Sequence, residues 1–179
     1  MCLSMDARVP ANRTIEVRDT CLCLHTQRAA RALARRFDVA LRPAGLTNEQ
    51  FSLLMSLNRP EPPRLGEVGV LLGADRTTLT AALKPLVRRQ LVEILPDAKD
   101  ARVRRLVLTA AGHRALLAAL PIWIAVHAAV EAALPDPDQL RRNLDALAGR
   151  APASAPAGNG GSAGRGKDDP GAATGSAAA

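Results

Sequence analysis

Two helical patterns separated by one tight glycine turn, and followed by two strand-like runs, constrain the fold of this chain more than any other feature. The first pattern covers about residues 65–72 and stops at Gly73, and Asp75 then caps a second helix. The runs at 91–95 and 104–108 flank a polar, turn-forming segment, which predicts a β-hairpin. The order helix, turn, helix, strand, basic loop, strand predicts a helix-turn-helix with a wing.

Helical spacing also organises the chain on both sides of this motif. Apolar residues recur at helical spacing over about residues 19–41, and Thr47 opens a capping box before the next helix. A long helix is predicted over about 109–134, where Pro121 predicts a kink, and a last helix ends near Ala148. The predicted fold class is mainly α with a small β-hairpin wing.

Composition changes sharply at Arg150. Residues 151–179 are almost all Ala, Gly, Pro and Ser, and they cannot bury enough apolar surface to offset the entropy of an ordered chain. The predicted organisation is a flexible N-terminal arm over residues 1–13, one domain over 14–150, and a disordered tail over 151–179.

One segment carries almost all of the formal charge of +7. Residues 76–114 contain nine Lys and Arg side chains against three Asp and Glu, whereas an even distribution would leave a net of about +1.5 there. Aromatic residues make up only 2% of the chain, which argues against platforms that stack single-stranded bases on aromatic rings. A localised basic surface on a winged helix predicts a double-stranded DNA partner.

The second helix of a helix-turn-helix places its first residues against base edges in the major groove. Here that helix starts with an arginine and three threonines, whose hydroxyl and methyl groups suit base edges and phosphates. Its leucines lie on the opposite face, toward the core. The DNA-binding residues predicted from this pattern are Arg76, Thr77, Thr78, Thr80, Lys84, Arg88 and, on the wing, Arg104.

These motifs resemble the MarR family of winged-helix regulators. The helix-turn-helix stretch over residues 65–92 is similar to that family's, and D-A-R at 100–102 followed by L-V-L-T-A-A-G at 106–112 is similar to its wing signature. The resemblance covers about residues 19–148, with the family's six helices and one hairpin in order. The chain departs from the family at Gln90, where a glycine usually ends the recognition helix.

The resemblance implies an obligate α-helical homodimer. It implies a winged helix-turn-helix over about 47–108 and dimerisation helices over about 19–44 and 109–148. The second of these regions contains a helix that is apolar nearly all round, which fits burial between subunits. The resemblance also implies that Arg102, at the wing tip, enters the minor groove and that Asp100 orients it. Two-fold symmetry then predicts an inverted-repeat operator.

The sequence leaves the regulatory signal open, because no residue pattern names a small-molecule effector. Cys23 is a possible redox sensor, since the organic-hydroperoxide-sensing branch of the family keeps its reactive cysteine in a comparable place and a helix N-terminus stabilises a thiolate. That branch has tyrosines beside the cysteine and this chain has none, so a buried apolar role is the alternative. Cys21 and His25 have the spacing of a metal pair, but without further ligands nearby we predict no metal and no cofactor.

The predicted function is that of a transcriptional regulator that binds double-stranded DNA at a specific sequence. We expect a cytoplasmic repressor that acts in a stress response and is released from DNA by a small-molecule or oxidative signal. A sequence-neutral architectural DNA-binding protein and a thiol-based peroxide-reacting protein are the alternatives. The sequence has no catalytic motif, so no enzyme is predicted. We expect no signal peptide, because the N-terminus lacks a basic segment followed by an apolar one. We expect no membrane partner, because Pro121 and His127 interrupt the longest apolar stretch.

Overall fold

A computed structural model describes residues 8–100 and 102–150. The chain divides into two compact units, Met1–Pro135 and Asp136–Ala179. Residues 1–7 of the predicted arm, Ala101 and the predicted tail over 151–179 lie outside the described residues. In chain order, the elements are α1 Ala11–Thr20, α2 Leu22–Leu41, a 3-10 turn Arg42–Ala44, α3 Asn48–Leu57, α4 Leu65–Leu72, α5 Arg76–Arg88, β1 Val92–Pro96, β2 Arg104–Leu108, α6 Ala110–Glu131 and α7 Pro137–Leu147.

The N-terminal region differs from the prediction of a single helix that starts near residue 19. Helix α1 already begins at Ala11, so the last three residues of the predicted arm are helical. The chain breaks at Cys21, whose backbone is extended, and α2 follows. The Cys21 Sγ accepts a hydrogen bond from the Leu24 N–H at 3.5 Å and so caps α2. Helix α1 has no buried residue, which explains why apolar periodicity did not reveal it.

The core of the first unit draws one apolar face from each of several elements. Leu41 of α2, Leu54 of α3, Val68 of α4, Leu86 of α5 and Leu106 of β2 are all fully buried. Burial of one such side chain is worth about 1.5–3 kcal/mol. The two helices of the helix-turn-helix and the wing are therefore fixed to the same core.

Helix α3 begins with the predicted capping box. The Gln50 N–H donates to the Thr47 hydroxyl at 3.2 Å, and the Thr47 N–H donates to the Gln50 side-chain oxygen at 3.2 Å. Two backbone donors of the first turn are thereby satisfied.

The predicted hairpin is confirmed and is attached to the loop before α4. Strands β1 and β2 pair antiparallel, from Val92 opposite Leu108 to Pro96 opposite Arg104. The Leu106 N–H donates to the Pro63 carbonyl at 3.0 Å, next to an isolated bridge from residue 64 to residue 105. This third segment ties the wing to the helix-turn-helix.

Helix α6 is capped by Thr109, whose hydroxyl accepts the Gly112 N–H at 3.0 Å, and it continues through Pro121. It ends at Glu131, three residues before the predicted end. By length and composition alone it is apolar enough to cross a membrane, as core helices of soluble proteins also are. One face packs on α2 and α3, while Leu117 and Ile124 on another are 70% and 54% exposed.

The second unit contains α7. Asp136 caps this helix by accepting the Gln139 N–H at 2.8 Å, and a proline occupies its first turn as predicted. Leu140, Leu144 and Leu147 form an exposed apolar stripe along it.

Candidate nucleic-acid interface

The turn between α4 and α5 depends on two glycines. Gly73 ends α4 in the left-handed region at φ 63°, and the Ala74 N–H then donates to the Gly69 carbonyl at 2.9 Å. A Cβ on Gly69 would lie 2.9 Å from the Ala74 carbonyl oxygen. The chain therefore turns within Gly73–Asp75 and starts α5 close against α4.

Helix α5 has a core face and a polar face, as the sequence predicts. Leu79, Leu83 and Leu86 are buried. All six predicted DNA-binding residues on the helix, Arg76, Thr77, Thr78, Thr80, Lys84 and Arg88, are exposed. The helix is thus held by its leucines and presents a cationic, hydroxyl-bearing surface to solvent.

The three threonines differ in what their hydroxyl groups do. The Thr78 hydroxyl donates to the Asp75 carboxylate at 2.8 Å, and its N–H donates to the same carboxylate at 2.8 Å, which caps α5. These bonds hold the pKa of Asp75 below its ordinary value, chiefly through the Thr78 backbone and then its hydroxyl. The Thr80 hydroxyl donates to the Arg76 carbonyl at 2.7 Å. Only the Thr77 hydroxyl has no hydrogen-bond partner within residues 8–100 and 102–150.

The C-terminus of α5 is closed by Gln90, at the position where the chain departs from the family. Gln90 has a φ of 55°, in the left-handed region. Its N–H donates to the Val87 carbonyl, and the Leu91 N–H donates to the Leu86 carbonyl, each at 2.9 Å. This pair of bonds is a Schellman motif, which normally uses glycine at that position. The turn forms with glutamine in place of glycine.

At the wing tip, the backbone is organised by Asp100. Its carboxylate accepts the Arg102 backbone N–H at 2.9 Å, and its carbonyl accepts the Val103 N–H at 2.9 Å. Asp100 therefore holds the backbone of Arg102 in place. Its carboxylate contacts the Arg102 backbone N–H and not the Arg102 guanidinium.

At the wing base, Asp97 makes an ion pair that sequence reasoning did not single out. Asp97 is 7% exposed, and its carboxylate accepts the Arg105 guanidinium at 2.5 Å and the Lys99 N–H at 2.8 Å. The Lys99 bond first, and Arg105 second, hold the pKa of Asp97 below its ordinary value. Arg105 also donates to the Pro62 carbonyl at 2.8 Å. Asp97 therefore neutralises the charge of Arg105, and the two bonds of this arginine hold the wing to the loop before α4.

A cleft of about 660 Å³ lies between α5 and the wing, and five of the predicted residues line it, one of which is Thr80. Leu83, Leu106 and Ile94 contribute to its apolar floor. Its cationic rim consists of Arg76, Lys84, Arg88 and Arg104. An apolar floor with a cationic rim is suited to a partner that combines anionic oxygens with apolar carbon surface.

The predicted redox residue stands in the first turn of α2. Cys23 is exposed, and the Gln27 amide donates to its Sγ at 3.1 Å. His25, considered with Cys21 as a metal pair, instead contacts the Asp19 carbonyl through its ring Nε2 at 3.2 Å. In the part of the chain that the structure describes, no three His, Cys, Asp or Glu side chains are grouped as metal ligands.

Known DNA-binding regulators are similar to this chain in sequence and fold. The MarR family model matches residues 46–103. The transcriptional regulator MosR of M. tuberculosis, solved in complex with DNA, is 42% identical over 71% of this chain and 92% of its own, with a TM-score of 0.66. A probable transcriptional regulator of Pseudomonas aeruginosa is 25% identical over 72% of this chain and 98% of its own, with a TM-score of 0.65.

CouR, a transcriptional repressor known from Rhodococcus jostii RHA1, was solved with a 23-mer DNA duplex. In that complex it is 25% identical over 80% of this chain and 98% of its own, with a TM-score of 0.61. No curated protein matches the sequence.

Proposed function

Because the chain belongs to the MarR family of DNA-binding transcriptional regulators, we propose that it is a cytoplasmic repressor that binds an inverted-repeat operator in double-stranded DNA as a homodimer. The observation that carries this proposal is the exposed cationic face of α5 beside a wing with exposed arginines. Family members of this kind are generally not enzymes, and the proposed activity needs no cofactor.

The residues of α5 divide into base-reading and phosphate-binding groups in this proposal. Thr77, with its free hydroxyl and methyl group near the helix N-terminus, reads base edges in the major groove. Arg76, Lys84 and Arg88 neutralise phosphates. Thr78 contributes mainly by capping the helix, and Thr80 presents its methyl group. On the wing, Arg102 enters the minor groove on the backbone that Asp100 fixes, and Arg104 contacts the DNA backbone.

The homodimer would cover apolar surface that the single chain leaves open. Within the first unit, Leu117 and Ile124 of α6 are exposed, and so are Leu22 and Leu33 of α2. Within the second unit, α7 has its own exposed leucine stripe. Exposed apolar patches of this kind mark interaction surfaces in soluble proteins. The family implies that the partner is a second copy of the chain. In this proposal, contact with that copy, and not with lipid, buries the exposed apolar residues of α6.

A small-molecule or oxidative signal would release the DNA, and Cys23 is the candidate for the oxidative route. A hydroperoxide would oxidise the Cys23 thiolate to a sulfenate and leave as an alcohol. The Gln27 amide already donates to this sulfur, which is exposed and open to a hydroperoxide. Serine at position 23 should abolish the response to peroxide. Serine at position 21, which can still cap α2, is the matched control.

The experiment that tests the proposal measures DNA affinity by fluorescence anisotropy. Operator duplexes are first selected from a random pool, and the dissociation constant is then compared with that of a scrambled duplex at equal salt. We expect binding to the selected duplex to be at least 10³-fold tighter. Equal affinity for both duplexes, with a steep salt dependence, would instead identify an architectural DNA-binding protein.

A further inference from the structure

A second cleft, of about 510 Å³, lies between α4, the start of α5 and the wing. Four arginines line it, and no acidic side chain does. Three of them, Arg76, Arg102 and Arg104, are already predicted to bind DNA. The fourth is Arg64, the residue before α4, and it is not among the residues predicted from sequence.

These four guanidinium groups have no ion-pair or hydrogen-bond partner among residues 8–100 and 102–150. The hydrogen bonds of Arg64 and Arg102 to carboxylates are made by their backbone N–H groups. Like charges that share one space repel each other. An anion in the cleft would turn this repulsion into attraction.

Arg105 shows that the fold separates structural arginines from free ones. It pairs with Asp97 and the Pro62 carbonyl on one face of β2. Side chains alternate along a strand, so Arg104 lies on the opposite face, and it lines both clefts beside the helix-turn-helix. Arg105 therefore holds the wing in place, while the four arginines that line the cleft remain available to bind an anion.

The apolar part of the cleft's lining favours a phosphodiester over a free carboxylate. Guanidinium groups bind phosphate oxygens bidentately, and the cleft also offers an apolar wall that includes Leu65, Val70 and Val103. A deoxyribose presents such an apolar surface beside its phosphate. Moreover, if α5 enters a major groove and the wing the neighbouring minor groove, the strand between the two grooves must pass between these elements.

We propose that this cleft binds a DNA backbone phosphate and that Arg64 is a phosphate contact of the protein. The inference rests on the proposed function and adds to it a phosphate contact, Arg64, that lies outside the recognition helix and the wing tip. Arg64 binds phosphate without reading sequence, so it contributes equally to any duplex in the same register.

The test is the salt dependence of DNA affinity for Arg64→Gln, with Arg64→Lys and Arg59→Gln as controls. Loss of one phosphate contact per subunit should reduce the slope of log K against log salt by about 1.8 in the dimer. Between 50 and 200 mM salt, the loss of affinity should then be roughly twelve-fold smaller than in the unmodified protein. Arg64→Lys keeps the charge and should keep the slope, as should Arg59→Gln, which lies outside the cleft. Preference for the operator should not change.

Two further measurements separate the possible outcomes. Arg102→Gln tests the proposed function: if it lowers the slope while Arg64→Gln does not, the function stands and the present inference fails. If neither variant changes the slope and the protein does not prefer its selected operator, the proposed function fails as well. Pyrophosphate at constant ionic strength tests for a free phosphate ligand. Binding of pyrophosphate that requires Arg64, with no change in the DNA salt slope of Arg64→Gln, would overturn the assignment to DNA.

Discussion

Replacement of Gln90 by glycine should stabilise the protein. Gln90 is the one residue other than glycine with a positive φ in the described part of the chain. Its polar contacts are made by the backbone: its N–H donates to the Val87 carbonyl, and its carbonyl accepts the Thr109 hydroxyl at 2.7 Å. Glycine keeps both bonds, and the exposed glutamine side chain gives up no polar contact with the described residues.

The magnitude follows from two opposing effects. A side chain in the left-handed region costs about 1–2 kcal/mol, because its Cβ crowds the following carbonyl oxygen. Glycine relieves this cost but adds about 0.4–1 kcal/mol of conformational freedom to the unfolded chain. The net effect should be a stabilisation of about 0.5–1 kcal/mol, or a rise in Tm of about 1–4 °C for a chain of this size.

Urea denaturation at one fixed protein concentration measures this difference, because the stability of a dimer depends on concentration. Gln90→Ala is the matched control, since it removes the same side chain and keeps the Cβ. We expect the alanine variant to stay within about 0.5 kcal/mol of the unmodified protein. A glycine variant no more stable than the alanine variant would show that the backbone at this turn is not strained.

Three other substitutions test the caps and contacts around the interface. Gly112→Ala should cost about 1–3 kcal/mol in urea denaturation, because its Cβ would overlap a neighbouring backbone carbonyl oxygen. Asp75→Ala removes the cap of α5 and should lower stability by about 1 kcal/mol, with weaker operator binding in anisotropy. The Lys99 N–H first, and Arg105 second, hold the pKa of Asp97 below its ordinary value of 3.8. The contribution of the Asp97 carboxylate to the free energy of unfolding is therefore complete above that pH and is lost as the pH falls through the lowered pKa. Asp97→Asn should therefore unfold at a lower urea concentration at pH 7, and its midpoint should fall less than the unmodified protein's between pH 5 and pH 3.

The helices and turns that were predicted correctly are marked in the sequence by residues that lie at their own ends. Gly73 and Asp75 mark the turn between α4 and α5, and Thr109 marks the start of α6; each acts on backbone groups within a few residues. Helix α1 was not predicted as a separate element, because it buries nothing and so lacks an apolar stripe.

The parts of the candidate interface that sequence did not reveal depend on contacts between distant segments. Asp97 and Arg105 are paired across the hairpin, and in sequence each is only one more charge in a basic loop. Arg64 lies next to the wing because its backbone forms an isolated antiparallel bridge with Arg105 of β2. No pattern in the local sequence predicts this bridge. The use of the Thr78 hydroxyl by the Asp75 cap likewise required the geometry of the helix start.

The stack of rings on α6 has a practical consequence. Trp123 lies between Phe51 of α3, at 6.0 Å, and His127, at 4.4 Å. The chain has one tryptophan and no tyrosine, so its near-ultraviolet emission comes from this single ring. Fluorescence of the unlabelled protein therefore reports changes in the surroundings of this ring at the contact between α3 and α6, and it can be followed while DNA or a candidate signal is added.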